Sequence, residues 1–182
     1  IKREKATSNI CTAQVLLAVM AGMYAVYHGK DGLKYIADKV HTSAVTLSHA
    51  LTDLGFEQIN SSYFDTITLK VDAKKLKLAS ESNGINFNYI DNETVSISVN
   101  ETVSLKEIND IINCFTKAFD LNSAFLIKFS SSNTITKNVQ RNTSFLDNEV
   151  FNTYRSETDM MRYIKKLERK DLALNHSMIS LG

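Results

Sequence analysis

The first residues with chemical potential stand at the start of the chain. Lys2, Arg3 and Lys5 precede Thr7, Ser8, Asn9 and Thr12, so cations, hydroxyls and an amide gather at the N-terminus of a predicted helix over 8–28. Free backbone N–H groups and the helix dipole favour an anion there, a phosphate or a carboxylate. The plain alternative is that Ser8 only caps the helix and the basic side chains face solvent. Three histidines follow, with His28 closing that helix and His41 and His49 on the next one. Zinc needs ligands at i, i+4 or in a compact loop, and nothing supplies the missing ones, so these read as ordinary surface or core histidines. Ser62, His49 and Asp65 offer the residue types of a catalytic triad, but geometry and not sequence order defines one. Asp65, beside Tyr63, Phe64 and Thr66 at a strand entrance, reads as a turn residue capping the backbone. The six glycines form neither G-x-G-x-x-G nor G-x-x-x-x-G-K-[ST], which leaves a nucleotide site without support. Cys11 and Cys114 are far apart and outside any C-x-x-C spacing, as expected of reduced intracellular thiols. Lys74, Lys75 and Lys77 lack interleaved aromatics for base stacking and read as a solvated helix face. Lys165, Lys166, Arg169 and Lys170, interrupted by Glu168, read as an exposed face of mixed charge.

The elements that must carry these residues belong to an ordinary globular chain. Its 182 residues suit one domain, or one domain with a tail, and 43% hydrophobic with 23% charged residues exclude disorder and disulfide miniproteins. Twenty-one Lys and Arg against twenty Asp and Glu leave a net charge of +1, so no overall field favours nucleic acid or an anionic membrane. The longest apolar run, Val15 to Met20 with a continuation to Val26, is interrupted by Gly22 and falls short of the ~20 residues of a membrane span. A soluble protein is expected. The chain opens on Ile1 without a leader and reads as a piece of something longer. It contains no proline, so its turns fall to Gly, Asn, Asp and Ser.

Ser8 to His28 is apolar nearly all round and predicts a buried helix stopped by Gly29. Between Asp31 and Leu54, apolar residues recur at spacings of three and four, an amphipathic helix against a core. Phe56–Ile59 and Phe64–Val71 alternate as a half-buried strand pair, and Ala73–Ser82 reads as a helix ended by Asn83-Gly84. Ile85–Ile90 and Thr94–Val99 form a predicted hairpin. Ser104 with Glu107 is a capping box opening a helix with Ile108, Ile111, Ile112 and Phe115 on one face. This order predicts an α+β fold, an antiparallel sheet with helices on one face. Ser130–Thr143 reads as a polar linker or exposed loop, and a second capping box, Ser156 with Asp159, opens a tail helix with Met160, Ile164 and Leu167 on its apolar side.

The letters carry more than the patterns. Arg3 through Gln14 (REKATSNICTAQ), Met23 through Gly29 (MYAVYHG) and Tyr63-Phe64-Asp65-Thr66 resemble the glycine cleavage system P-protein, the decarboxylating glycine dehydrogenases. The tail agrees: Glu149 through Thr158 (EVFNTYRSET), Arg162 through Leu172 (RYIKKLERKDL) and Leu174 through Ile179 (LNHSMI) resemble that family's linker into its second half. The likeness runs over essentially the whole chain in matching order. Departures are Lys30 where the family usually has proline, Arg155 where histidine usually precedes Ser-Glu-Thr, and Ser180 where proline often precedes Leu-Gly.

The resemblance implies a place in the middle of a longer protein whose two halves each resemble the fold-type-I pyridoxal-phosphate transferases. Residues 1–28 would end the first half's large domain, 29–128 form its small C-terminal α+β domain, 129–146 a linker, and 147–182 a helical tail starting the second half. In that family glycine is decarboxylated on pyridoxal phosphate and its aminomethyl group passes to the lipoyl arm of H-protein. The Schiff-base lysine would lie beyond Gly182, so this piece carries no catalytic residue, is expected to bind no cofactor alone and contributes architecture. Transferred candidates are Thr7, Ser8 and Asn9 near a cofactor cleft, and Asn175, His176 and Ser177 on the way to a substrate-facing block. No metal is expected. Partners would be the remaining halves of its own chain, H-protein and a second subunit of a homodimer, with neither nucleic acid nor membrane. The setting would be the bacterial cytoplasm, or the mitochondrion in a eukaryote. The competing reading is a stand-alone α+β interaction module that binds through its tail helix.

Overall fold

The computed structural model describes residues 4, 15–121, 129 and 135–178. The chain divides into two compact units, one of residues 1–33 with 143–182 and one of residues 34–142.

The second unit is built on a four-stranded antiparallel sheet of β1 (Glu57–Gln58), β2 (Thr66–Lys70), β3 (Asn88–Tyr89) and β4 (Thr94–Ser98) in the order β1-β2-β4-β3. Register puts Ile67 opposite Ile97 and Leu69 opposite Val95, while Thr66 meets Ser98 and Thr68 meets Ser96. Period-two alternation thereby makes one face apolar and the other a Ser/Thr face. The apolar face is covered by the C-terminal part of α1 (Val15–Asp53), by α2 (Ala73–Ser82) and by α3 (Leu105–Ala118). Val40, Ala44, Leu47 and Leu51 from α1, Leu76 from α2, and Ile108, Ile111, Ile112 and Phe115 from α3 join the strand residues in one buried cluster. Phe115 is fully buried and meets the ring of Phe56 edge-on at 5.0 Å. This is the expected α+β layer with its helices on one face.

Local chemistry explains the boundaries. Asp72 caps α2, its carboxylate accepting from the amides of Lys74 and Lys75 at 3.1 Å. Ser104 and Glu107 complete a reciprocal capping box on α3. Gly55 and Gly84, at φ 94° and 71°, make the turns that follow α1 and α2. The predicted strands are shorter than expected: Ile85 and Phe87 pack on the core without joining the ladder, and β1 keeps two residues.

The first unit contains the start of α1, α4 (Val150–Thr153) and α5 (Glu157–Glu168). Gly29 ends the first helical stretch as expected, its backbone non-helical at φ 59°, ψ −173°, and a second helical stretch resumes directly behind it, so that α1 is two helices meeting at a kink. Two expectations need correction here. The predicted burial of the first helix fails at its start. Leu16 is 72% exposed and Val15, Leu17, Val19 and Met20 are exposed as well, with Val26 its one buried apolar side chain among the described residues. An all-round apolar surface needs cover on every side, and the described residues cover one stripe of it. The second capping box is half a box. Ser156 Oγ accepts from the Asp159 amide at 3.1 Å, but the Asp159 carboxylate binds the Ser156 hydroxyl at 2.7 Å, because aspartate is one methylene shorter than the glutamate that reaches a cap amide. No helix among the described residues is long and apolar enough to cross a membrane.

Candidate functional site

Thr7, Ser8, Asn9 and Cys11 lie outside the described residues. Asn175, His176 and Ser177 follow α5 in a tight turn held by the amides of His176 and Ser177, which donate to Ala173 O at 3.1 and 2.8 Å. Asn175 and His176 are exposed there.

The histidines fall into three separate settings. His41 is 5% exposed, stacks on Phe64 at 5.8 Å with the rings parallel, and places Nδ1 2.9 Å from Phe64 O. It is a hydrogen-bonded core histidine. His28 packs on Tyr24 at 4.3 Å and Tyr27 at 5.1 Å, and His49 is exposed. No group of three or more His, Cys, Asp or Glu side chains capable of holding a metal occurs among the described residues. The paper triad does not assemble: Asp65 accepts the Thr66 hydroxyl at 2.9 Å instead of orienting His49. That bond also corrects the reading of Asp65 as a backbone cap, since the neighbouring hydroxyl offers its carboxylate a nearer donor.

Ion pairs lie on the surface of the second unit. Lys77 pairs with Glu81 and sits 5.5 Å from the centre of the Tyr89 ring. Lys106 pairs with Asp110 at 2.9 Å, which raises the lysine above its ordinary value. The Ser104 hydroxyl, with the Ser104 amide behind it, holds the Glu107 carboxyl below its ordinary value. Burial pushes the free Cys114 thiol up, which makes it a poor nucleophile.

The junction in the first unit was not visible in the sequence. Gly29 is buried at the kink of α1, where a Cβ would lie 2.7 Å from Phe151 O and closer still to the Arg155 guanidinium. Arg155 Nη2 donates to the Asn152 side-chain Oδ1 at 2.9 Å and to the Phe151 backbone carbonyl of α4 at 3.3 Å. Lys30 pairs with Asp147 at 3.6 Å beside it. Tyr154 stacks on Tyr163 at 4.0 Å, fixing α4 against α5. Two of the departures noted in the sequence, Lys30 and Arg155, thus sit at this one joint. The sequence signal was present only as His28-Gly29, which reads locally as a helix stop.

A pyridoxal-phosphate site needs a sheltered lysine amine and a cradle of donors for the phosphate. No described lysine is buried, and the ion pairs above engage surface amines. The described residues do not fit that cofactor.

Comparison with known proteins supplies what the geometry leaves open. Residues 1–115 match the family model of the glycine cleavage system P-protein. The glycine dehydrogenase (decarboxylating) of Christiangramia forsetii is 60% identical over 182 residues, which cover all of this chain and 19% of that protein. The mitochondrial enzyme of the same name from Solanum tuberosum is 44% identical over 185 residues, covering 18% of its length. A solved glycine decarboxylase (P-protein) of the glycine cleavage system, in inhibitor-bound form, shares the fold with a TM-score of 0.55 at 23% identity over 65% of this chain and 29% of that one. The chain therefore spans about a fifth of the length of the curated relatives it matches. With residues 1–115 fitting the family model and the likeness to relatives running through all 182 residues, the chain belongs to the glycine cleavage system P-protein family.

Proposed function

We propose that this chain is the middle portion of a pyridoxal-phosphate-dependent glycine decarboxylase and contributes structure to it rather than chemistry. The single observation carrying this is the 60% identity that runs the whole length of the chain against a protein about five times longer. In that protein residues 1–28 end the first half's large domain, 29–128 are its small domain, 129–146 link the halves and 147–182 begin the second. The whole enzyme releases CO2 from glycine and hands the aminomethyl group to lipoyl H-protein, and it works as a homodimer in the bacterial cytoplasm. The cofactor supplies the electron sink for decarboxylation when bound, and the Schiff-base lysine comes from outside these residues.

What this chain's residues do in that setting is positional. The α+β unit presents a rigid, capped scaffold, and the Gly29–Arg155 joint fixes the angle at which the residues around α4 meet the kinked first helix. The turn at Asn175, His176 and Ser177 is the segment proposed to lead toward substrate, and Thr7, Ser8 and Asn9 toward the cofactor.

The test is borohydride trapping of the purified 182-residue chain with pyridoxal phosphate, followed by peptide mass spectrometry and an assay of CO2 from labelled glycine. Scattered, substoichiometric lysine labelling with no CO2 release is expected. Stoichiometric labelling of one lysine, or glycine-dependent CO2 release, would overturn the structural role.

A further inference from the structure

Helix α5 presents a basic pole that the proposed enzyme role does not use and that an ion pair, Lys165 with Glu168, engages only in part. Arg162, Lys165, Lys166 and Arg169 line one surface depression of about 350 Å³. Their spacing of three, four and seven residues puts them on one side of a helix, opposite Met160, Tyr163, Ile164 and Leu167. Lys165 is bonded to Glu168 at 2.8 Å, whereas Arg162, Lys166 and Arg169 have no carboxylate partner among the described residues. Like charges at i, i+4 oppose one another, so the face is poised to gain from an incoming anion. The chain as a whole carries only +1, which makes this a local concentration and not a general basic surface.

We infer that this face docks an acidic strip on another polypeptide, with carboxylates at the matching helical spacing. Two observations favour protein over the other polyanions. The lining holds no aromatic ring on which bases could stack. The apolar side of the same helix is partly turned to its own chain, with Tyr163 stacked on Tyr154 and Met160 and Leu167 half-buried, and the 47% exposure of Ile164 leaves too narrow an apolar stripe to enter a lipid interface. Guanidinium groups at 162 and 169 suit bidentate carboxylate contacts, and the exposed setting makes the interaction strongly dependent on salt.

The experiment is fluorescence anisotropy of the 182-residue chain against a labelled helical peptide bearing glutamates at i, i+3, i+4 and i+7, with a single-stranded DNA oligomer and phosphatidylserine vesicles as parallel probes. Binding to the peptide is expected, weakening about tenfold between about 0.05 M and about 0.5 M salt. The triple variant R162E/K166E/R169E is expected to lose it with an unchanged circular dichroism spectrum. Should that variant misfold, R162Q/K166Q/R169Q serves the same purpose by removing charge without reversing it. No peptide binding, binding indifferent to the substitutions, or tighter binding of DNA or vesicles than of peptide would overturn the assignment.

Discussion

Replacing Gly29 by alanine inside a long helix would ordinarily stabilise it, by about 1 kcal/mol from helix propensity alone. The joint at the kink predicts the opposite sign. Gly29 sits at φ 59°, ψ −173°, a region essentially restricted to glycine, where a side chain costs about 1–3 kcal/mol. The new Cβ would also stand 2.7 Å from Phe151 O, a backbone atom that can move only by shifting α4, and such overpacking costs a further ~1–3 kcal/mol. Gly29→Ala should therefore destabilise the joint by about 3 kcal/mol, which corresponds to roughly a hundredfold faster hydrogen exchange in the amides flanking the kink. Arg155→Ala removes the flexible part of the obstruction but neither the carbonyl nor the dihedral strain. The double variant should thus recover less than half of the loss. The assay is exchange read by mass spectrometry on peptides covering residues 20–33. Exchange unchanged or slowed in Gly29→Ala would refute the packing described for the joint.

Other consequences follow from the second unit. Phe115→Ala, which empties a fully buried site against Phe56 and Phe87, should cost about 3–5 kcal/mol, read as a lowered urea midpoint. Glu107 titrates below its ordinary 4.5, chiefly through the Ser104 hydroxyl, so its support of the α3 cap is complete above about pH 4.5 and is lost as pH falls through the folded value. An NMR titration should show this, and Ser104→Ala should bring the Glu107 midpoint back toward 4.5 while costing the cap about 1 kcal/mol. Cys114, buried and held above its ordinary 9.0, should react with a disulfide reagent much more slowly in the native chain than in urea.

How much of this was legible in the sequence depends on the range of the interaction. Helix α2 over Ala73–Ser82 and the capping box of α3 are written by residues within one turn of each other, and both lie where local reading put them. The polar and apolar faces of the sheet were legible for the same reason, since alternation along β2 and β4 is a two-residue property. Gly29 is legible as a helix stop, whereas the close approach of Arg155 and Phe151 to it is not, since no local pattern connects them. The exposed start of α1 was misread because composition reports a need for burial and not whether a partner surface is at hand. The basic pole of α5 was visible as letters, but scoring Lys165 to Lys170 as a run hid the spacing that sets Arg162 with Lys166 and Arg169. Family membership is carried by long blocks of identity, whereas His41, His28 and Cys114 hold ordinary structural roles.

The most direct test of the account replaces the matching segment of the Christiangramia forsetii glycine dehydrogenase with these 182 residues and measures glycine-dependent CO2 release with H-protein present. If the chain is an architectural middle portion of this enzyme, the folded chimera retains activity within about tenfold of the parent, a barrier change of about 1.4 kcal/mol. A chimera that folds and binds pyridoxal phosphate yet releases no CO2 would contradict it.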